Sequence, residues 1–261
     1  MPLVRIGDID INYRIDGDGP WLTLAHPLAA EMGIWAPQMP VLTPHFRVLR
    51  FDFRGHGTTS STPAPYSLGQ LARDALGLFD HLGIQQSHWV GLSMGGMVAQ
   101  VLALQRPGVL NRMVIADSTS RRPANAAAMW GERIRLARER GMAAIARPTL
   151  ERWFTAPFRN KHPEIMDWVA AQIERTSLDG YCGSCAAIAE IDTLDHLGKI
   201  GSPALIMVGE HDHGTPPEMS RQMHEHWPES EFFMIPDASH IGNIEQAEIF
   251  NLKIAEYLTR Q

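Results

Sequence analysis

Cysteine is nearly absent from this 261-residue chain: Cys182 and Cys185 are the only two, and both lie in Gly180-Tyr181-Cys182-Gly183-Ser184-Cys185. Two thiols so close together cannot staple distant segments, which excludes a disulfide scaffold. A Cys-x-x-Cys spacing serves redox exchange in a thioredoxin-like unit, or half of a zinc site when two more ligands join it. Neither context is visible, and the pair reads as two reduced thiols. No stretch approaches the roughly 20 apolar residues of a membrane span. The start, Met1 to Asp8, lacks a basic region followed by an apolar run. These absences predict a soluble, cytoplasmic protein with no membrane partner. There is no excess of positive charge, since 23 Lys and Arg stand against 29 Asp and Glu, and no nucleic-acid partner is expected. Glu210-His211-Asp212-His213 and His224-Glu225-His226 are rich in potential ligands. Alternate residues of a strand or helix point apart, however, and no further ligand is evident, so no metal and no cofactor are expected.

With 44% hydrophobic residues the chain can build one large α/β domain and a subdomain of inserted helices. Val4 to Ile6 and Ile9 to Ile15 read as a hairpin around Gly7-Asp8. Trp21 to Ala25 and Arg47 to Phe51 are the next strands, with a short helix expected within Glu31 to Leu42. Leu68 to Leu82 has helical spacing and stops at Gly83, and Met113 to Asp117 is a later strand. This alternation implies a mostly parallel twisted sheet with helices on both faces and right-handed crossovers. The rhythm breaks from about Ser120 to Asp192, where only helices are legible, and resumes near Pro203. Residues 1–119 and 193–261 therefore read as two parts of one core, and residues 120–192 as a helical cap over the strand ends.

The chemistry is concentrated around Gly91-Leu92-Ser93-Met94-Gly95-Gly96, which follows the apolar run Trp89-Val90 and precedes the apolar helix from Met97 to Ala103. A strand that enters a helix through a glycine-flanked serine is a nucleophile elbow. Side chains at positions 91 and 95 would crowd the turn, and the helix N-terminus offers free N–H groups to an oxygen that becomes negative. A serine hydroxyl needs a histidine to take its proton and a carboxylate to orient that histidine. The strand Ala204 to Gly209 ends at Glu210-His211-Asp212, and the strand Glu231 to Pro236 leads into Asp237-Ala238-Ser239-His240. Ser93, Asp212 and His240 are thus the catalytic candidates, with Glu210 and Asp237 as rival acids and His211 and His213 as flanking polar residues.

Charge is distributed unevenly. From Arg121 to Lys161 there are ten basic and three acidic residues, a formal +7, against 13 basic and 26 acidic in the remainder, a formal −13. This reads either as a lid that attracts anions or as a solvated arginine-rich face. Arg133 stands apart. On one helix from Met129 to Arg140 it shares a face with Trp130, Ile134 and Ala137, so its guanidinium needs a carboxylate from protein or substrate.

His26-Pro27-Leu28, Asp52-Phe53-Arg54-Gly55-His56-Gly57, the elbow, Asp212 and His240 together resemble the α/β-hydrolase superfamily over almost the entire chain. The resemblance implies an oxyanion hole from the backbone N–H groups of Leu28 and Met94, and gives His56 a structural rather than catalytic place. Within the superfamily the chain is most similar to 3-oxoadipate enol-lactonases, enzymes of aromatic-compound degradation. The further similar stretches are Phe46 to Asp52, Leu150-Glu151-Arg152-Trp153-Phe154-Thr155 and Gly180 to Ile188. It implies a small anionic lactone as substrate, with Arg133, Trp130 and Trp153 as substrate-binding candidates. Those lactonases usually carry glycine directly after the His-Pro-Leu triplet, where Ala29 stands here. The loop Ala30-Glu31-Met32 and the segment Arg121-Arg122-Pro123 also depart from their pattern. Alternatives are a broad-range carboxylesterase or perhydrolase on the same triad, a carbon–carbon bond hydrolase, and a noncatalytic ligand receptor on the same fold.

Overall fold

The strands that carry the site are apolar on both faces, as a sheet covered on both sides requires. A computed structural model describes residues 3–260. Met1 and Pro2, at the head of the segment read for a leader, lie outside the described residues, as does Gln261. The chain opens with the hairpin β1 (Leu3–Ile6) and β2 (Ile9–Asp16), registered Ile6 opposite Ile9. Then follow β3 (Trp21–Ala25), a 3₁₀ turn at Met32–Gln38, α1 (Met39–Leu42), β4 (Arg47–Phe51), α2 (Leu68–Leu82), β5 (Ser87–Leu92), α3 (Met94–Gln105) and β6 (Leu110–Ala116). After a helical segment come β7 (Ala204–Gly209), a helix at Pro217–His226, β8 (Ser230–Ile235), and two helices at Gly242–Glu245 and Ala247–Leu258. The eight strands lie in the order β1-β2-β4-β3-β5-β6-β7-β8. β2 is antiparallel to both neighbours and the other pairs are parallel.

Local chemistry sets the boundaries. The Ser67 side chain accepts a hydrogen bond from the Gln70 N–H to cap α2, and Gly83 closes that helix at φ 69°. The expected helix within Glu31 to Leu42 is split in two, with Pro37 in its first piece and Pro40 opening the second. β6 begins at Leu110, earlier than expected, and ends before Asp117, whose φ of 47° leaves the extended region. β8 stops at Ile235 because Pro236 has no N–H to continue the ladder.

Between β6 and β7 lie α4 (Ala126–Arg140), α5 (Ala143–Trp153), α6 (Ala156–Lys161), α7 (Pro163–Arg175) and α8 (Leu178–Ala189). The helices near the chain's end, Pro217–His226, Gly242–Glu245 and Ala247–Leu258, are α9, α10 and α11. The two ends of the helical segment meet: Arg121 bridges Asp192, and the Thr193 N–H donates to the Ser120 carbonyl at 2.7 Å. Much of the segment's positive charge is neutralised on its surface. Arg121 pairs with Asp192 and Asp195, Arg122 with Glu190, Arg135 with Glu132 and Glu139, and Arg147 with Glu151. Among the described residues no helix is long and apolar enough to cross a membrane.

Candidate active site

Ser93 is the first residue past β5, and its backbone is held at φ 53° and ψ −112°. A non-glycine residue keeps such angles only where its surroundings enforce them, at about 1–3 kcal/mol. Here the Ser93 N–H donates to the Ala116 carbonyl at 2.8 Å, and the Ser118 hydroxyl donates to the Ser93 carbonyl at 2.8 Å. The flanking glycines allow the close approach. A Cβ on Gly95 would stand 2.1 Å from the Ala25 carbonyl oxygen, and one on Gly91 would stand 2.4 Å from the Gly95 carbonyl oxygen.

His240 lies in the loop after β8, with its Nε2 3.0 Å from Ser93 Oγ and its Nδ1 2.8 Å from Asp212 Oδ2. Asp212 follows β7 and is 2% exposed. A carboxylate only accepts, so Nδ1 carries the ring hydrogen and Nε2 is left to receive the serine proton. Asp212 also accepts from the backbone N–H groups of Gly214 and Thr215, at 2.7 and 3.0 Å, and from the Thr215 hydroxyl at 2.7 Å. Burial alone would raise its pKa. The charge and hydrogen bond of His240, with the Thr215 bonds, outweigh that and hold it below the ordinary carboxylate value. Asp117, at the end of β6, goes the other way: burial, then the charge of Asp212, push its carboxyl well up. Of these two neighbouring carboxyls, Asp212 is the one favoured in its charged form.

Glu210 and Asp237, the rival acids, are exposed, and Glu210 Oε2 accepts from the Asp237 N–H at 3.3 Å. Their ligand atoms and those of His211 all lie within 4.8 Å of one another on the surface, a third neighbour that reading along single elements did not supply. His213 is exposed as well. His56 is fully buried and is pushed down to about 3 by burial and by the neighbouring His26. It donates from Nδ1 to the Arg54 carbonyl at 3.0 Å, inside a loop anchored by the Arg54–Asp74 pair. His26 is pushed down to about 4 by burial, and its Nε2 accepts the Phe53 N–H at 2.9 Å.

Met94 is the first residue of α3, where a backbone N–H has no acceptor within the helix. Leu28 lines the same pocket as Ser93, and Ala29 beside it has φ 62°. That left-handed backbone is the physical reason a glycine suits this position.

The pocket over Ser93 and His240 is a small cavity of about 70 Å³, lined from the helical segment by Trp130, Arg133, Arg152 and Trp153. Arg133 stacks over the Trp130 ring, with its guanidinium carbon 4.4 Å from the ring centroid. Arg152 donates to the Thr149 hydroxyl at 3.0 Å. Among the described residues no carboxylate forms an ion pair with either arginine, in contrast to Arg135 and Arg147. Burial, reinforced by the positive charge of Arg133, pushes Arg152 down to about 10, which leaves it charged at neutral pH. Sequence reasoning singled out Arg133 and missed Arg152, which becomes its neighbour only when α4 and α5 fold together. It also missed Thr215, whose place three residues after Asp212 was the available signal. Cys182 and Cys185 are buried free thiols on α8, and burial raises the pKa of both, that of Cys185 to about 12. Such thiols are unreactive at neutral pH.

A family model described as alpha/beta hydrolase fold matches residues 20–247. The 3-oxoadipate enol-lactonase 2 of Acinetobacter baylyi is 33% identical over 255 residues, covering 97% of this chain and 94% of that protein. The crystal structure of the enol-lactonase from Burkholderia xenovorans LB400 superposes with a TM-score of 0.96 at 34% identity, covering 99% of this chain and 100% of the other. A thermophilic esterase from Thermogutta terrifontis, with malate bound, gives a TM-score of 0.94 at 29% identity, covering 99% and 98%.

Proposed function

The chain belongs to the alpha/beta hydrolase fold family, and we propose that within it the protein is a serine hydrolase that opens a small carboxylate-bearing lactone or ester through an acyl-enzyme. Ser93 Oγ attacks the substrate carbonyl while His240 Nε2 takes its proton. Asp212 steadies the imidazolium through Nδ1. The N–H groups of Met94 and Leu28 donate to the tetrahedral oxyanion, and the N-terminus of α3 adds its positive end. His240 then protonates the leaving oxygen, which in a lactone stays tethered to the acyl chain. A water deprotonated by the same histidine releases the acid.

One observation carries the reading: the Ser93–His240–Asp212 series, at 3.0 and 2.8 Å, lies beneath two guanidiniums, those of Arg133 and Arg152, with which no carboxylate among the described residues pairs. Two adjacent cations facing a reactive serine suit a substrate that brings its own negative charge. The helices from 120 to 192 act as the cap, and Arg133, Arg152, Trp130 and Trp153 hold the remote end of the substrate. The enol-lactonase relatives make 3-oxoadipate enol-lactone the first compound to try. Its ultraviolet absorbance should decay on addition of the protein and persist with Ser93→Ala. Ser93-dependent cleavage of p-nitrophenyl acetate without loss of the lactone would instead give a carboxylesterase with a cap built for another acyl group. Stoichiometric binding without turnover would give a receptor.

A further inference from the structure

Glu245 ends α10, five residues after His240, and is 7% exposed. Its two carboxylate oxygens serve different parts of the fold. Oε2 accepts the backbone N–H of Ser239, the residue before His240, at 2.8 Å. Oε1 accepts the Thr155 N–H at 2.9 Å and the Thr155 hydroxyl. Thr155 lies between α5 and α6, in the turn that follows Arg152 and Trp153. Two more bonds run in parallel: the Ser239 hydroxyl donates to the Arg152 carbonyl at 3.0 Å, and the Ile241 N–H donates to the Trp153 carbonyl at 3.2 Å. The residues on both sides of His240 are thus bonded to the turn that carries two of the pocket's side chains.

We propose that Glu245 is a positioning residue that locks the His240 loop to the α5–α6 turn, so that the base and the pocket side chains Arg152 and Trp153 are held as one unit. The inference rests on the reading of His240 as the general base of Ser93. A carboxylate fits this place because both of its oxygens accept and the groups facing them donate. Glutamine has one carbonyl oxygen, and its amide hydrogens would face either the Ser239 or the Thr155 N–H, leaving one buried donor without an acceptor. The Glu245 arm would then be broken at one end, leaving the Ser239–Arg152 and Ile241–Trp153 bonds alone to tie the His240 loop to the turn. Glu245 does not touch Ser93, so its effect must pass through the placement of the imidazole.

The test is the second-order rate at which a neutral fluorophosphonate modifies Ser93, a reaction that needs the histidine but no substrate carboxylate. Glu245→Gln should slow labelling about tenfold, the size expected for one charge-assisted hydrogen bond. Thr155→Val, which keeps the backbone bond and deletes only the hydroxyl, should slow it about threefold. Combining the two should cost less than the product of the separate effects, because both break the same arm. Labelling is compared with the folded fraction from circular dichroism, a readout that a purely structural role would move in parallel. Labelling at the wild-type rate in Thr155→Val, or a loss in Glu245→Gln no larger than the unfolded fraction, would overturn the proposal. If Glu245→Gln fails to fold, Thr155→Val decides. A wild-type protein that the probe does not label at Ser93 would overturn the hydrolase reading instead, and the two failures are distinguishable.

Discussion

Replacing Arg152 by methionine removes one of the two pocket guanidiniums that have no carboxylate partner among the described residues, while keeping a long, flexible side chain beside Trp153. A charged hydrogen bond to a substrate carboxylate is worth about 1.5–3 kcal/mol, which corresponds to about 10- to 100-fold in kcat/KM. That loss should fall on substrates that carry the carboxylate. A succinate half-ester and its neutral diester share the acyl chain and differ in that group alone, so the ratio of their kcat/KM values isolates the effect. Arg152→Met should lower the ratio about 10- to 100-fold, mainly through KM for the half-ester, and leave the diester within a few-fold. Arg133→Met should behave alike, and the double variant should abolish the preference. The structure adds a second readout. Arg152 is pushed down to about 10 by burial and by Arg133, so the charge is a burden in the empty protein, and Arg152→Met should raise Tm. Equal losses on both esters, or a fall in Tm with the preference intact, would refute carboxylate recognition by this pair.

Asp212→Asn should lower kcat about 10³- to 10⁴-fold with little change in KM, because an amide cannot hold Nδ1 as the protonated nitrogen; steady-state kinetics on p-nitrophenyl acetate check this. Ala29→Gly should stabilise the protein by about 0.5 kcal/mol, roughly 1–2 °C in Tm, since relief of a left-handed alanine outweighs the added freedom of glycine in the unfolded chain. An unchanged or lower Tm would contradict it. His56, held neutral at about 3 against 6.5 in the unfolded chain, takes up its proton only on unfolding over that interval. Its contribution to stability is complete above pH 6.5 and is lost progressively as the pH falls toward 3. His56→Asn should therefore flatten the rise of unfolding free energy between pH 4 and 6 by up to about 1.4 kcal/mol per pH unit, read by urea titrations across that range.

What could be read along the chain was chemistry carried by local sequence. The elbow announces itself because its glycines and serine are consecutive, and the strand ends that lead to Asp212 and His240 are marked by apolar runs with abrupt polar stops. The structure brings those three side chains into one hydrogen-bonded series. It also shows why Glu210 and Asp237, so close in sequence, stand apart: both face solvent. The helical segment was legible as helices but not as a surface. Its excess of arginine left open an anion-attracting lid or a solvated arginine-rich face, and Arg121, Arg122, Arg135 and Arg147 are taken up by acidic residues on its outer face or at its stem. Only the approach of α5 to α4 brings Arg152 beside Arg133, and only the approach of α10 to the α5–α6 turn joins Glu245 to Thr155, 90 residues apart. No periodicity or spacing encodes such meetings.

In the proposed mechanism Ser93 carries the acyl group. Intact-mass spectrometry of protein quenched during turnover of p-nitrophenyl acetate, followed by peptide mapping, tests it most directly. A single acetyl adduct is expected on the peptide that contains Ser93, and none in Ser93→Ala. Turnover by Ser93→Ala at the wild-type rate, or an adduct on any other residue, would contradict it.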